Sequence, residues 1–473
     1  MAEQADQVGV GMPCLREERK MPGRTWRSAM WFGPLLLCLS LPLTDRKGRE
    51  YDQAEAMPPW PQKLAGSIDP SVSADGRFVA FTSGDVSLLA SDTNGAEDVL
   101  VWDRQTGRTE LASVSTSGSQ GNGDSRDAVI SADGRFVAYE SSASNLVEGD
   151  TNGADDIFVR DRKERITERI SVSSTDEGGD NWCSSPAISG DGRFIAFCSQ
   201  ATNLVPRDTN REPDIFVRDR AMGTTERVSV GVLGAQAGGA STEPAISADG
   251  QFVAFHSWAD NLVAGDDDVT PNVFLRDRKA GSTIRANLLA LPKRSSQEPY
   301  GFRMSADGRF LAVMPVTLVN WDLPIPRDVD ESVHLLVWDR KTNTSHRICP
   351  SDARKRGNLH SSCLPAVSAD GRYIAFDSRA ANMVPDDTNG AADVFMVERD
   401  TGAIQRISVT STGTQGHGTS MYPSVSADGR FVAFTSYATN LVAGDTNEKP
   451  DVFLRDTKMR TTIQVSNAAV VKH

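Results

Sequence analysis

The sequence predicts an all-β protein, a seven-bladed β-propeller of four-stranded antiparallel blades with about 58 residues per blade. Three observations carry this. A Ser-x-Asp-Gly clause recurs seven times, with its aspartate at Asp75, Asp133, Asp191, Asp249, Asp307, Asp370 and Asp428. The step between successive aspartates is 58 residues, lengthened once to 63 between Asp307 and Asp370. Each unit contains four short β-rich stretches separated by turn residues. A sandwich does not repeat at constant period, and the coils of a β-helix are much shorter, so the period selects the propeller.

Unit two shows the reasoning element by element. Ala128 to Ser131 is a short apolar first strand, and Asp133-Gly134 is a strong hairpin signal. Arg135 to Ser141 (RFVAYES) alternates and is β-rich; Asp156 to Asp161 (DIFVRD) forms a third strand and Ile166 to Val172 (ITERISV) a fourth. The polar stretch Ser142 to Asp155 joins the second strand to the third, and a Gly/Ser/Asp-rich linker leads to the next unit. The tight turns all fall on one face of such a disc. The long second–third loops and the interblade linkers fall on the other. Binding generally resides on long loops held by a rigid frame, so that second face is the expected partner surface. The last unit carries all its own strands between Pro423 and Ser466, which predicts a ring closed without strand exchange.

The propeller is expected over residues 67–466, followed by a tail at 467–473. Residues 1–45 read as an export signal or short anchor with a long charged segment before the apolar run Ala29 to Leu43. That run is too short to span a bilayer. Met21 and Met30 are alternative starts, and 46–66 is a linker. The expected location is periplasmic or secreted. Membrane contact is then confined to the amino-terminal segment, if it is not cleaved.

The clauses Ser-x-Asp-Gly-Arg-Phe-Val-Ala-Phe and Asp-Val-Phe-x-Arg-Asp resemble the TolB-like, WD-repeat-like propellers of bacterial exported proteins, over all seven units. Trp102-Asp103 and Trp338-Asp339 stand where WD-repeat propellers place that dipeptide. The resemblance implies a binding scaffold rather than a particular activity.

Composition narrows the partners. A net charge of −13 with no basic stripe argues against nucleic acid and is compatible with cations or basic partners. Cys183 with Cys198, and Cys349 with Cys363, are two locally pairable sets that fit disulfides in an oxidising compartment, with buried free thiols as the competing reading. No Gly-x-Ser-x-Gly elbow occurs, and the histidines share no repeat position.

The second–third loops supply the candidate metal ligands: Asp92, Asn94 and Asp98; Asp150, Asn152 and Asp156; Asp208, Asn210 and Asp214; Asp387, Asn389 and Asp393; and Asp445, Asn447 and Asp451. Alternating oxygen-bearing side chains can wrap calcium. The same residue types also cap turns, and both readings stay open at this stage. Unit four departs to Asp266, Asp268 and Asn272, and unit five to Asp328, Asp330 and His334. Unit five also carries Trp321, and the following linker carries Arg354, Lys355, Arg356 and His360, a candidate docking patch against the repeat background.

The sequence thus leads to the expectation of an exported, monomeric, non-catalytic propeller binding a protein, a peptide or a cell-envelope glycan through its long-loop face. The alternatives are a glycoside hydrolase or lyase using funnel carboxylates and a calcium-stabilised adhesin-like module.

Overall fold

The computed structural model describes residues 66–90, 92–266, 271–286, 288, 297–317, 335–348 and 364–467. They form seven four-stranded antiparallel sheets, each made of four strands consecutive in the chain. In blade one these are β1 (Ser67–Val72), β2 (Phe78–Ser83), β3 (Asp98–Asp103) and β4 (Arg108–Leu111). No α-helix occurs among the described residues, and no helix there is long and apolar enough to cross a membrane. The seven-bladed propeller expected from the repeat is therefore the observed fold.

The second and third strands are buried along almost their whole length, which is why their motifs FVAF and DIFVRD are so apolar. The core lies between blades rather than within one. Ala80, Val99 and Val101 of blade one pack with Ala128, Val137, Tyr139 and Phe158 of blade two, and the same arrangement recurs around the disc. A single blade exposes both faces of its sheet, so only its neighbours can bury them.

The Ser-x-Asp-Gly clause is a turn device. In blade one, Ser73 Oγ donates to Asp75 Oδ1 and accepts from the Phe78 N–H, while the Arg77 N–H donates to Asp75 Oδ1. The arginine that follows reaches the acid ending the third strand: Arg77 to Asp103, Arg135 to Asp161, Arg193 to Asp219, Arg309 to Asp339 and Arg430 to Asp456. In blade four Gln251 makes the equivalent contact with Asp277 at 3.1 Å. The repeated aspartates are thus structural.

The same turns close the ring. The Ala74 N–H donates to the Ala132 carbonyl, and the bond is handed on through Gly190, Ala248, Ala306, Ala369 and Ala427 back to Ala74, at 2.8–3.0 Å throughout. Blade seven also meets blade one through Ser67 N–H to the Pro450 carbonyl (2.7 Å), the bond that Ser125 makes to Glu97 one blade on. Among the described residues, as expected, the first and last blades exchange no strand.

Two expectations shift. The inner strand of blade two begins at Ser125, because a bulge between Arg126 and Val129 separates two short pairings. The proposed Cys183–Cys198 disulfide does not form, and both residues are buried free thiols. Cys183 lies opposite Ser199, and Cys198 opposite Ser184. The two sulfurs consequently enter different cores, one shared with blade two and the other with blade four. Cys349 and Cys363 lie outside the described residues.

Candidate functional site at the mouth of the central channel

The inner strands line the central channel, and in six of the seven blades their bulge sets one residue in an unusual conformation. Asp69, Asp127, Ser185, Glu243 and Tyr422 have φ of 53–55°, and Gly301 of 70°. A left-handed conformation is disfavoured for residues with a Cβ, and such strain gathers at functional sites. Framework residues are copied from blade to blade, whereas this position reads Asp, Asp, Ser, Glu, Gly, Leu364 and Tyr. It is the place where the repeat holds its backbone and varies its chemistry. The bulge lies at the end of the inner strand nearest the long loops, so the varied residues stand toward that face.

Electrostatics ties the blades together here. Burial pushes the Asp69 carboxyl up to about 8, with further upward pressure from Asp127 and Glu97. Burial also raises Asp127 and Glu243, and it lowers Arg303, whose charge acts on Glu243, Asp127 and Asp69 alike. These residues come from blades one, two, four and five, and only a shared channel lets them act on one another. Asp69 and Glu243 are half-buried and Asp127 is exposed, so all three reach solvent. Behind Asp127, Arg126 lies 3.4 Å from Glu140 and 3.8 Å from Asp155. Arg303 spends one N–H on the Phe302 carbonyl. The mouth therefore sets Asp69, whose carboxyl group is protonated at neutral pH, and the upward-shifted Asp127 and Glu243 beside the Arg303 guanidinium.

The candidate calcium loops are placed differently. Gln120 from the interblade linker donates its amide to Asp92 (2.9 Å) and Asp98 (2.8 Å), and Ser113 donates to the other Asp98 oxygen at 2.6 Å. Gln236 bridges Asp208 and Asp214, and Gln415 bridges Asp387 and Asp393. In blade two Arg169 lies against Asp150 and Asp156. Asn94, Asn152, Asn210 and Asn389 donate to linker carbonyls, while Asn447 donates to Asp451. In blades one, two, three and six protein donors thus occupy these carboxylates and tie the long loop to the following linker. In blade seven, by contrast, Asn447 bonds within its own loop and Asp445 Oδ1 has no hydrogen-bond partner among the described residues. Among the described residues, no group of three or more His, Cys, Asp or Glu is placed to hold a metal ion.

Trp321, Arg354, Lys355, Arg356 and His360, with Asp268, Asp328, Asp330 and His334, lie outside the described residues. Asp69, Asp127, Glu243 and Arg303 were not singled out by motif reading. The signal that finds them is a column comparison: six residues before each turn aspartate the units read Asp69, Asp127, Ser185, Glu243, Gly301, Leu364 and Tyr422, whereas the Ser-x-Asp-Gly clause that follows is kept in all seven.

No family model and no curated protein matches the chain. Solved structures do. A prolyl endopeptidase structure is 11% identical with a TM-score of 0.51, over 84% of this chain and 49% of that one. TolB from Acinetobacter baumannii is 15% identical with a TM-score of 0.38, over 73% of this chain and 64% of that one. Oligogalacturonate lyase from Vibrio parahaemolyticus is 12% identical with a TM-score of 0.49, over 83% and 89%. The chain thus spans less than two thirds of that TolB and about half of the endopeptidase. The expectation of a non-catalytic protein is corrected by these findings: enzymes share this fold, so the scaffold gives no ground for excluding catalysis. At the level of fold, the chain is a seven-bladed β-propeller.

Proposed function

We propose that this protein is an exported propeller that takes a polar segment of a protein, peptide or envelope glycan into the channel mouth on its long-loop face. The observation behind this reading is the bulge position, where strained, chemically varied residues from several blades converge on Arg303. The Asp69 carboxyl group, protonated at neutral pH, both donates and accepts hydrogen bonds, and Arg303 adds a charged donor, which suits hydroxyl- and amide-rich ligands. Calorimetry against a panel of envelope glycans and peptides tests it. A ligand of the wild type should bind at least about tenfold more weakly to Asp69→Asn or Arg303→Met, a loss of about 1.4 kcal/mol. Unchanged affinity in both variants would remove the channel mouth from consideration.

A second reading rests on Asp69 specifically. A carboxyl group titrating near 8 is protonated at neutral pH and can serve as a general acid, the requirement of glycoside hydrolysis or a related elimination. Turnover on the same glycans, lost in Asp69→Asn while binding persists, is its expected signature. Binding without any turnover would leave only the first reading.

A further inference from the structure

The seam between blades six and seven lacks a device present at the other six seams. After the acid that ends each third strand, six blades carry an arginine: Arg104, Arg162, Arg220, Arg278, Arg340 and Arg399. Each guanidinium stands 3.7–4.5 Å from the centre of the aromatic ring that opens the second strand of the preceding blade. Each also donates to the carbonyl of its own turn glycine, from Gly76 in blade one to Gly371 in blade six. Three of them add an ion pair to a glutamate on the preceding blade's outer strand: Arg162 to Glu110, Arg220 to Glu168 and Arg278 to Glu226. A guanidinium suits this position because it stacks flat on a ring and donates in its plane at the same time.

Blade seven has Thr457 instead. Its short side chain folds back, Oγ1 donating to the Arg430 carbonyl at 3.0 Å. A recess of about 350 Å³ opens there, lined by Tyr373, Gln405, Asp428, Gly429 and Thr457 among others. Among the described residues Tyr373 has one guanidinium, that of its own blade's Arg372 at 5.2 Å; Phe78, Phe136, Phe194, Phe310 and Phe431 are each flanked by two, and Phe252 keeps the one from the following blade, Arg340. Gln405 takes the glutamate's place and keeps an oxygen acceptor, and Asp428 supplies negative charge, while Lys458, which also lines the recess, is exposed to solvent. Arg430 at the edge is already held bidentate by Asp456. A second recess of about 480 Å³ shares Gln405 and Thr457, which leaves room for chain on either side of an inserted side chain.

We infer that this recess receives the guanidinium group of an arginine from a partner chain, completing from outside the stack that the other six seams complete from within. The site is distinct from the channel mouth and does not depend on the function proposed there. A partner's arginine and a free small guanidine share the chemistry; the adjoining recess favours the first.

The test is two-dimensional NMR of the full propeller titrated with a capped hexapeptide of glycine and serine around one arginine. Its citrulline counterpart and agmatine serve as comparison ligands. The arginine peptide should shift the Gly429 and Thr457 amides saturably, at least tenfold more tightly than the citrulline peptide. Agmatine should bind more weakly than the peptide. Thr457→Arg, which restores the repeated device, should fold with an unchanged or higher melting temperature and abolish the response. Tyr373→Leu should weaken it at least tenfold. Equal binding of the citrulline peptide, or binding undiminished in a folded Thr457→Arg protein, would overturn the site. Agmatine binding as tightly as the peptide would overturn the assignment to a partner chain.

Discussion

Asp69 carries the sharpest consequence of the channel chemistry. Its carboxyl group titrates near 8 in the folded protein and at the ordinary carboxylate value of 3.8 when unfolded. Between those values the folded state holds a proton that the unfolded state has lost. Its contribution to stability is therefore complete below about pH 4 and is lost as pH rises through 8. Asp69→Asn cannot ionise, so thermal melts should show a shallower decline from pH 4 to 8. At pH 8 the variant should exceed the wild type by about 1–2 kcal/mol, since channel water reduces what the full shift implies. Equal slopes for the two proteins would show that Asp69 titrates normally. The loop aspartates lead to a different expectation. Because Gln120, Gln236 and Gln415 already donate to them, calcium and EDTA should leave the melting temperature unchanged. A rise of several degrees with calcium would show that the cation displaces those amides. The choice between cap and cation was not legible in Asp-x-Asn alone, because the deciding glutamine lies 22 residues beyond the loop's last acid.

At the scale of the element, the Asp-Gly turn couples local conformation to the neighbouring blade. Gly134 has φ of +73°, and a Cβ there would run into the Phe78 ring of blade one. Gly134→Ala should therefore cost about 2–4 kcal/mol, combining left-handed strain with overpacking, read as a lower denaturant midpoint. A loss below about 0.5 kcal/mol would mean that the ring moves aside at little cost, contrary to dense core packing. The turn chemistry was readable from Asp-Gly, but its tie to the preceding blade's ring was not. Strand pairing also settles the cysteines. Cys183 and Cys198 are buried on opposite faces of one blade, and burial raises both thiols. An alkylating reagent should label both only after unfolding, without a reductant, as peptide mass mapping would show. Labelling that required a reductant would restore the disulfide. Hairpin symmetry brought the two residues to adjacent strands, yet alternation along each strand sends neighbouring positions to opposite faces.

At the scale of the molecule, closure rests on the backbone bonds from Ala74 through Ala427 rather than on a shared strand. In this backbone bond every blade junction is alike, including the one between blades seven and one. A circular permutant opened in the linker between blades one and two, with residues 66 and 467 joined, should unfold in one transition near the wild-type midpoint. Two transitions, or a large drop, would show that the native seam between blades seven and one is special. The sequence by itself determined the number of blades, the strands of each and their turns. A fixed period copies one local solution seven times, and local propensity suffices to read it. Only the tertiary structure decided which residues meet: the bulge residues in the channel, the separated cysteines and the recess beside Thr457. Those contacts join residues from different blades, and no periodicity within a blade encodes what its neighbours bring to the same point.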